Sequence, residues 1–420
     1  MEPTALHNSD INLFQLQTYL TLLQSPHPNP AQLSQYHVRQ GQRQPRNMEI
    51  YSASPTPLGE LSHSLHDYSK GGKDTATSYR PGVPSSSSGS NLSDIGLVKS
   101  TILPSFTLNT AISVATYVAA RTANRADLKD CAWPATQVLN AWWAALGQPI
   151  FSHRHNITRA SPSLCTTWRG IPWSQKVLLG CVTAWGSRLL YHIAARSVER
   201  GKDDARYEEM KKQDPGFWDN ALWKVFLPEA AALTIISLPF TVPFRLPGQG
   251  VLDLSRCCGG VDVAGVARTL GVAVFGVGFA LEALADLQLG LYKHKRGDLC
   301  REGVWSVVRH PNYLGDALVH ASFALLNIAN GLNPVVLLGP VANYLFLRLF
   351  GGDKENETGQ EERYTKYDKE KYEQLQAWRQ EKNRFWPALS EISNPWSWVV
   401  LGCGVAGVVI EESVRGWVMS

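Results

Sequence analysis

Residues 263–291 read VAGVARTLGVAVFGVGFALEALADLQLGL, a run of apolar residues that is long enough to cross a bilayer as one helix. Two carboxylates, Glu282 and Asp286, nevertheless lie inside the run, four positions apart and therefore on one helix face. Because a charged side chain inside a membrane costs several kcal/mol, such residues usually face a cavity or a charged partner. The run thus predicts a transmembrane helix whose inner face serves a function.

Seven further apolar stretches flank this run. Those at 173–195 and 221–243 are also long enough to span a bilayer, whereas 396–410 is too short to assign. The stretches at 313–329 and 333–350 are short and could form two tight spans or a helical hairpin. The remaining stretches lie near 98–120 and 132–151. Together they predict an all-α fold, a polytopic transmembrane helical bundle of about six or seven spans.

The two ends of the chain differ from this apolar middle. Residues 1–97 are rich in Ser, Pro, Gln, Gly and His, so they cannot bury enough apolar surface to offset the entropy of ordering. We therefore predict a disordered low-complexity tail at 1–97 and a transmembrane domain at 98–395. Residues 396–420 form an apolar C-terminal segment that could associate with the membrane. The N-terminus does not have the pattern of a secretory signal peptide.

Composition excludes several classes of function. The formal net charge is only +4, and no basic patch is interleaved with aromatic residues, so nucleic acid is not an expected partner. The seven cysteines include no CxxC pair, which argues against a disulfide framework and against a zinc site. No metal is expected. The chain also lacks a phosphate-binding loop of the GxxxxGK[ST] type.

Basic residues are concentrated in three segments of the chain, at 196–224, 293–309 and 351–384. The loop at 244–262 and the turn at 330–334 carry few or none. Two predicted spans separate consecutive basic segments, so all three fall on one face, which the positive-inside rule assigns to the cytosol. We expect an integral, multi-pass membrane protein. The endoplasmic reticulum is the default membrane.

The helix predicted near 173–195 also carries polar residues. At about 100° per residue, Trp185, Arg188 and His192 fall within one narrow stripe. We interpret this stripe as the polar wall of a substrate or phosphate site. The alternative is an internal ion pair that only fixes helix packing.

The carboxylates of Glu282 and Asp286 require a hydrogen-bond donor inside the bundle. Arg188 and Lys293 are candidate donors, and so is a ribose hydroxyl or an adenine of a bound nucleotide. A purely structural network of carboxylates and arginine is the alternative.

Residues 303–316, GVWSVVRHPNYLGD, are the most specific segment of the chain. Pro311 is placed to open a helix, with Arg309, His310 and Asn312 clustered at its start. A cationic cluster at a helix N-terminus suits an anion such as a phosphate. A basic anchor at the membrane interface is the alternative interpretation.

This segment resembles the RHPNYxGE signature of an uncharacterised membrane family that is related to the C-terminal domain of steroid 5-alpha reductases. Three further blocks are similar in order and spacing. They are 185–189 with 201–207, 282–288, and 361–387. The resemblance covers roughly residues 165–390.

The resemblance implies that the cytosolic half of the bundle holds NADPH and that hydride passes to an activated double bond of a lipid or steroid-like substrate. By the same resemblance, Asn312 and Tyr313 would line the nicotinamide end, and Asp316 replaces the usual glutamate. The predicted cofactor-binding residues are Arg188, Asp286, Gln288, Lys293, Arg309, His310, Asn312, Tyr313, Asp316, Tyr372 and Arg384. The candidate catalytic proton donors are Tyr191, His192 and Glu282.

Two other functions remain open at the level of sequence. An RHPxY element also occurs in isoprenylcysteine carboxyl methyltransferases and related phospholipid methyltransferases, which bind S-adenosylmethionine. The blocks at 185–189 and 282–288 favour the reductase group. The second alternative is a non-enzymatic membrane protein that retains the bundle, which the change to Asp316 keeps open.

Overall fold

The computed structural model describes residues 97–154, 163–246, 262–293, 299–329, 331, 333–350 and 352–420. The predicted disordered tail lies outside these residues except for Leu97. Every regular element in the described parts of the chain is helical, which confirms the all-α class.

Fifteen α-helices follow one another along the described chain, joined or extended by short 3-10 and π-helical turns. They are α1 (Leu103–Ala123), α2 (Leu128–Trp142), α3 (Gln148–Arg154), α4 (Leu164–Gly170), α5 (Trp173–Arg200), α6 (Ala205–Gln213), α7 (Phe217–Ala221), α8 (Leu227–Ile236), α9 (Val242–Arg245), α10 (Val263–Lys293), α11 (Pro311–Ile328), α12 (Leu338–Leu345), α13 (Asp353–Tyr367), α14 (Lys369–Glu381) and α15 (Pro395–Met419).

Four helical segments of the described chain are long and apolar enough to cross a membrane, which indicates an integral membrane protein. They are Val98–Ala123, Trp173–Arg200, Val263–Tyr292 and Pro395–Met419. A shorter apolar helical segment covers Pro334–Leu349. The expected number of six or seven spans is not confirmed.

The stretch at 221–243 does not form the single long helix that its composition suggested. Helix α8 ends at Ile236, a 3-10 turn covers Leu238–Phe240, and the four-residue α9 begins at Val242. Pro239 and Pro243 lie in these last two elements. Because proline has no N–H to donate and clashes with the preceding turn, it interrupts a helix of this kind.

Helix α15 is longer than the apolar run 396–410 that the sequence marks, because its later charges are paired. The Glu411 carboxylate accepts a hydrogen bond of 2.5 Å from Trp173 Nε1 and lies 3.2 Å from Arg268 Nε. Glu412 also lies 3.2 Å from Arg268. These contacts bring the starts of α5 and α10 and the end of α15 to the same end of the bundle.

Helix α10 is the central element, since α11 and α15 both approach its backbone closely at glycines. A Cβ added to Gly278 would lie 2.7 Å from the carbonyl oxygen of Gly315 on α11. One added to Gly276 would lie 2.9 Å from the Cα of Gly404 on α15. Small residues at such crossings allow membrane helices to pack backbone to backbone. The crossing with α11 places Glu282 directly against that helix, because a Cβ on Gly315 would meet the Glu282 nitrogen at 2.6 Å.

The segment between α10 and α11 is fastened to α10 by side chains. Gln288 Oε1 accepts a hydrogen bond from the backbone N–H of Val304 at 2.8 Å, and Trp305 Nε1 donates to the Ala285 carbonyl at 3.0 Å. Gly303 adopts a φ of 67°, which an L side chain rarely tolerates. Gln288 therefore positions the segment that leads into the RHPN sequence.

Candidate functional site

Arg188 joins helix α5 to helix α10. Its Nη1 donates to Glu282 Oε1 at 2.7 Å, and its Nη2 donates to the Glu282 carbonyl at 3.3 Å and to Asp286 Oδ2. His192, one turn further along α5, has its Nε2 3.8 Å from the same Asp286 oxygen. Arg188 and Lys293 were the two side chains that the sequence offered as donors. Arg188 is thus a partner of both carboxylates. The side chain of Lys293 lies outside the described part of the structure.

A third carboxylate, Asp316 on α11, interacts electrostatically with Glu282. Asn343 Nδ2 donates to Asp316 Oδ2 at 2.8 Å, and His320 Nε2 lies 3.8 Å from Asp316 Oδ1. We call Arg188, His192, Glu282, Asp286 and Asp316 the Arg188 cluster. It contains three carboxylates and one guanidinium, so Arg188 is already neutralised. The cluster therefore suits hydrogen-bond donors of a ligand better than the phosphate that the sequence interpretation allowed.

Several buried polar atoms around this cluster have no hydrogen-bond partner within the described structure. They are Trp185 Nε1, Glu282 Oε2 and His320 Nδ1, and also Asn312 Oδ1, which lies four residues before Asp316 on α11. The rings of Trp185 and His320 meet edge to face, with centroids 5.0 Å apart. An unsatisfied buried polar group costs about 1–3 kcal/mol. This mixture of donors and acceptors is suited to a bound molecule that carries both.

A second cluster lies at the start of α11 and centres on Glu357 of helix α13. Arg309 binds the Glu357 carboxylate with two hydrogen bonds, of 2.8 and 3.1 Å, and His310 Nε2 lies 3.1 Å from Glu357 Oε1. Arg379 and Arg384 approach Glu357 Oε2 to 3.4 and 3.6 Å. We call these five residues the Glu357 cluster. The charge of Arg309, which the sequence assigned to an anion, is neutralised here.

Sequence reasoning missed Glu357, although a signal was present. Asp353, Glu357 and Glu361 recur at spacings of four in a polar helix, so they share one face. That face meets the basic RHPN segment. Arg384 is the cation of the Glu357 cluster best placed for a ligand, because its side chain is 38% exposed and its contacts are the longest.

The Glu357 carboxylate gives the protein a specific dependence on pH. Burial alone would raise the pKa of Glu357, but the hydrogen bond with His310 and the charges of Arg309 and Arg384 lower it to about 2. A carboxyl whose pKa is lowered by folding contributes stability above its unfolded pKa, near 4.5, and loses it as the pH falls towards 2.

We therefore expect the melting temperature of the detergent-solubilised protein to fall more steeply between pH 4.5 and pH 3 in the wild type than in Glu357→Gln, which has no carboxylate to protonate. The exposed Glu362 offers the control, since Glu362→Gln should retain the steep fall of the wild type. Parallel curves for wild type and Glu357→Gln would contradict the assignment.

The other predicted residues divide between the core and the surface. The Tyr313 ring stacks on His310 at 5.5 Å, and its hydroxyl accepts a hydrogen bond from Asn356 Nδ2 at 3.3 Å. Tyr372 packs against the hydrophobic core that contains Tyr313. Tyr191 is 76% exposed on α5 and is not brought to either cluster. Within the described residues, no group of His, Cys, Asp and Glu side chains is placed to hold a metal ion.

A comparison with protein families assigns the chain to one of them. The model of a family described as a protein of unknown function, DUF1295, matches residues 116–378, which is more than half of the chain. The chain belongs to the DUF1295 family. No curated protein and no solved structure matches it significantly. The DUF1295 match includes the Arg188 cluster and, from the Glu357 cluster, Arg309, His310 and Glu357, but it ends before Arg379, Arg384 and helix α15.

Proposed function

We propose that this DUF1295 protein is a membrane-embedded, NADPH-dependent reductase that acts on a double bond of a lipid or steroid-like substrate. The observation that carries the proposal is the set of unpartnered buried polar atoms beside the Arg188 cluster. One of them, Asn312 Oδ1, belongs to the RHPN segment, which resembles the signature of a membrane family related to steroid 5-alpha reductases. A catalytic site of this kind explains why a membrane helix retains Glu282 and Asp286.

The residues present fit NADPH in two parts. A nicotinamide carboxamide carries both donors and an acceptor, which matches Asn312 Oδ1, Glu282 Oε2 and Trp185 Nε1. Asp286 would accept from a ribose hydroxyl, and the half-exposed Arg384 is best placed for a phosphate. When bound, NADPH supplies the hydride.

The reduction also needs a proton, and the geometry favours two of the three sequence candidates. His192 lies 3.8 Å from Asp286, and Glu282 Oε2 is buried without a hydrogen-bond partner in the described structure. Tyr191 is largely exposed and is the weakest of the three. We propose that His192 donates the proton to the substrate. We also propose that the protein lies in the membrane of the endoplasmic reticulum, with its cofactor-binding side facing the cytosol.

Binding of the cofactor is directly measurable. At a concentration about 100 times its dissociation constant, NADPH should stabilise the solubilised protein by about 2.7 kcal/mol and raise its melting temperature. S-adenosylmethionine should have no effect. Stabilisation by S-adenosylmethionine alone would select the methyltransferase alternative, and stabilisation by neither would favour a non-enzymatic protein.

Asn312→Ala separates a cofactor contact from a structural one. Because the buried Asn312 oxygen has no partner in the described structure, its removal should leave the stability of the cofactor-free protein unchanged or slightly higher. The free energy of NADPH binding should weaken by about 1–3 kcal/mol, so that most of the stabilisation by NADPH is lost at the same concentration. The exposed Asn220→Ala should change neither quantity. An unchanged NADPH effect in Asn312→Ala would remove Asn312 from the site.

A further inference from the structure

A groove lies where the chain passes from α14 into α15. It has a volume of about 530 Å³ and is open to the surface. Polar side chains line most of it, together with the aromatic ring of Trp396. Its walls include Ser306, Lys382, Ser390, Glu391, Asn394 and Trp396. None of these residues belongs to the Arg188 cluster or the Glu357 cluster.

Large exposed apolar side chains lie close in sequence to the residues of this groove. Trp386, Leu389, Ile392 and Trp398 are all more than half exposed. The Trp398 indole is held in place, since its Nε1 donates to the Ile392 carbonyl at 2.8 Å. Within residues 386–398, polar groove residues and exposed apolar residues are therefore interspersed. The segment presents both polar and apolar side chains at the surface.

The position of α15 fixes the level of the groove relative to the bilayer. Helix α15 is one of the four segments that can cross a membrane, and it begins at Pro395. The surface of the bilayer therefore lies near residue 395. Tryptophan is enriched at this level of membrane proteins, where its ring contacts acyl chains and its N–H reaches polar groups. The groove accordingly opens among lipid headgroups.

The charges in the groove balance each other. Lys382 Nζ lies 2.6 Å from Glu391 Oε1, and Asn394 Nδ2 donates to the other Glu391 oxygen at 3.1 Å. The same amide nitrogen also contacts Ser306 Oγ at 3.0 Å. A pair of opposite charges beside hydroxyl and amide groups matches a ligand that itself carries one negative and one positive charge.

We propose that this groove binds the headgroup of a zwitterionic phospholipid, with its phosphate beside Lys382 and its amine beside Glu391. The exposed apolar residues hold the segment at the bilayer surface, and the acyl chains lie against α15. A phospholipid with a net negative charge is disfavoured, because its headgroup offers no cation to Glu391.

The test uses the full chain in nanodiscs that contain equal amounts of phosphatidylethanolamine, phosphatidylcholine and phosphatidylglycerol. The protein is then released from the nanodiscs, and native mass spectrometry identifies and counts the lipids that remain bound to it. We expect the two zwitterionic lipids to be retained about tenfold over phosphatidylglycerol, the ratio that 1.4 kcal/mol supplies. Ser390→Trp, which fills the groove, should abolish this preference, whereas Ser413→Trp at the far end of α15 should retain it.

A change of charge at Glu391 should alter which lipid is preferred, and a purely structural role of Glu391 would not have this effect. Glu391→Gln leaves Lys382 without its counter-ion and should shift retention towards phosphatidylglycerol. Equal retention of all lipids by the wild type, or loss of the preference in both tryptophan variants, would overturn the proposal. Displacement of the lipid by NADPH would assign the groove to the cofactor instead. The melting response to NADPH in Ser390→Trp keeps the two proposals separable, since it should equal that of the wild type.

Discussion

Replacing Glu357 by glutamine is expected to destabilise the solubilised protein by about 3–5 kcal/mol, the cost of leaving a buried charge without its partner. Glu357 is only 5% exposed and neutralises Arg309 through two hydrogen bonds. Arg379 and Arg384 also lose their shared acceptor. The uncharged amide still occupies the same volume, so the loss reports on charge and not on packing.

Thermal unfolding in detergent, followed by circular dichroism, measures this effect. Glu362→Gln on the same helix serves as the matched control, because Glu362 is exposed and its loss should change stability by less than about 0.5 kcal/mol. Equal melting temperatures for the two variants would show that Glu357 does not hold the start of α11 in place.

Gly278→Ala should prevent α10 and α11 from reaching their observed separation. The new Cβ would lie 2.7 Å from the Gly315 carbonyl oxygen and 2.8 Å from the Val319 nitrogen. Both are backbone atoms and cannot rotate away, so the helices must move apart. Overpacking of this kind costs about 1–3 kcal/mol and occasionally more. The shift also moves Glu282 relative to Arg188, so the response to NADPH should weaken.

Gly290→Ala, in the same helix, should have the opposite effect on stability. A Cβ there has no neighbour within 4 Å in the described structure. Alanine should therefore stabilise the helix by about 0.5–1 kcal/mol, because it loses less backbone entropy than glycine. Stabilisation by both variants would mean that the backbones at Gly278 and Gly315 do not pack as closely as described.

Sequence reasoning succeeded where the spacing along one helix determines the contact. Glu282 and Asp286 are four residues apart, and Arg188 is the charged residue deepest in its own apolar run. Their partnership could be predicted because a membrane interior leaves such charges few other solutions. The all-α class could be predicted for a related reason. Backbone N–H and C=O groups cannot remain unpaired inside a bilayer, and a helix pairs all of them within one segment.

The remaining features depend on contacts between distant parts of the chain. Nothing near Arg309 indicates that its partner is Glu357, which is 48 positions away in a polar helix. The length of α15 depends on Arg268, which neutralises Glu411 and Glu412 from another helix. Tyr191 was a candidate proton donor because it is next to His192 in sequence. Consecutive residues of a helix lie on different faces, so this position does not bring Tyr191 to the Arg188 cluster.

The end of the bundle that carries the Glu357 cluster is closed by two backbone hydrogen bonds. The N–H groups of Arg309 and His310 donate to the carbonyls of Asn383 and Arg384, each at 3.1 Å. Helices α10 and α11 are neighbours in sequence, whereas this closure joins residues that are separated by the helices α11 to α14. Because contacts between distant residues carry the larger entropy of loop closure, we expect α10 and α11 to pair first and the hydrogen bonds of Arg309 and His310 to residues 383 and 384 to form later.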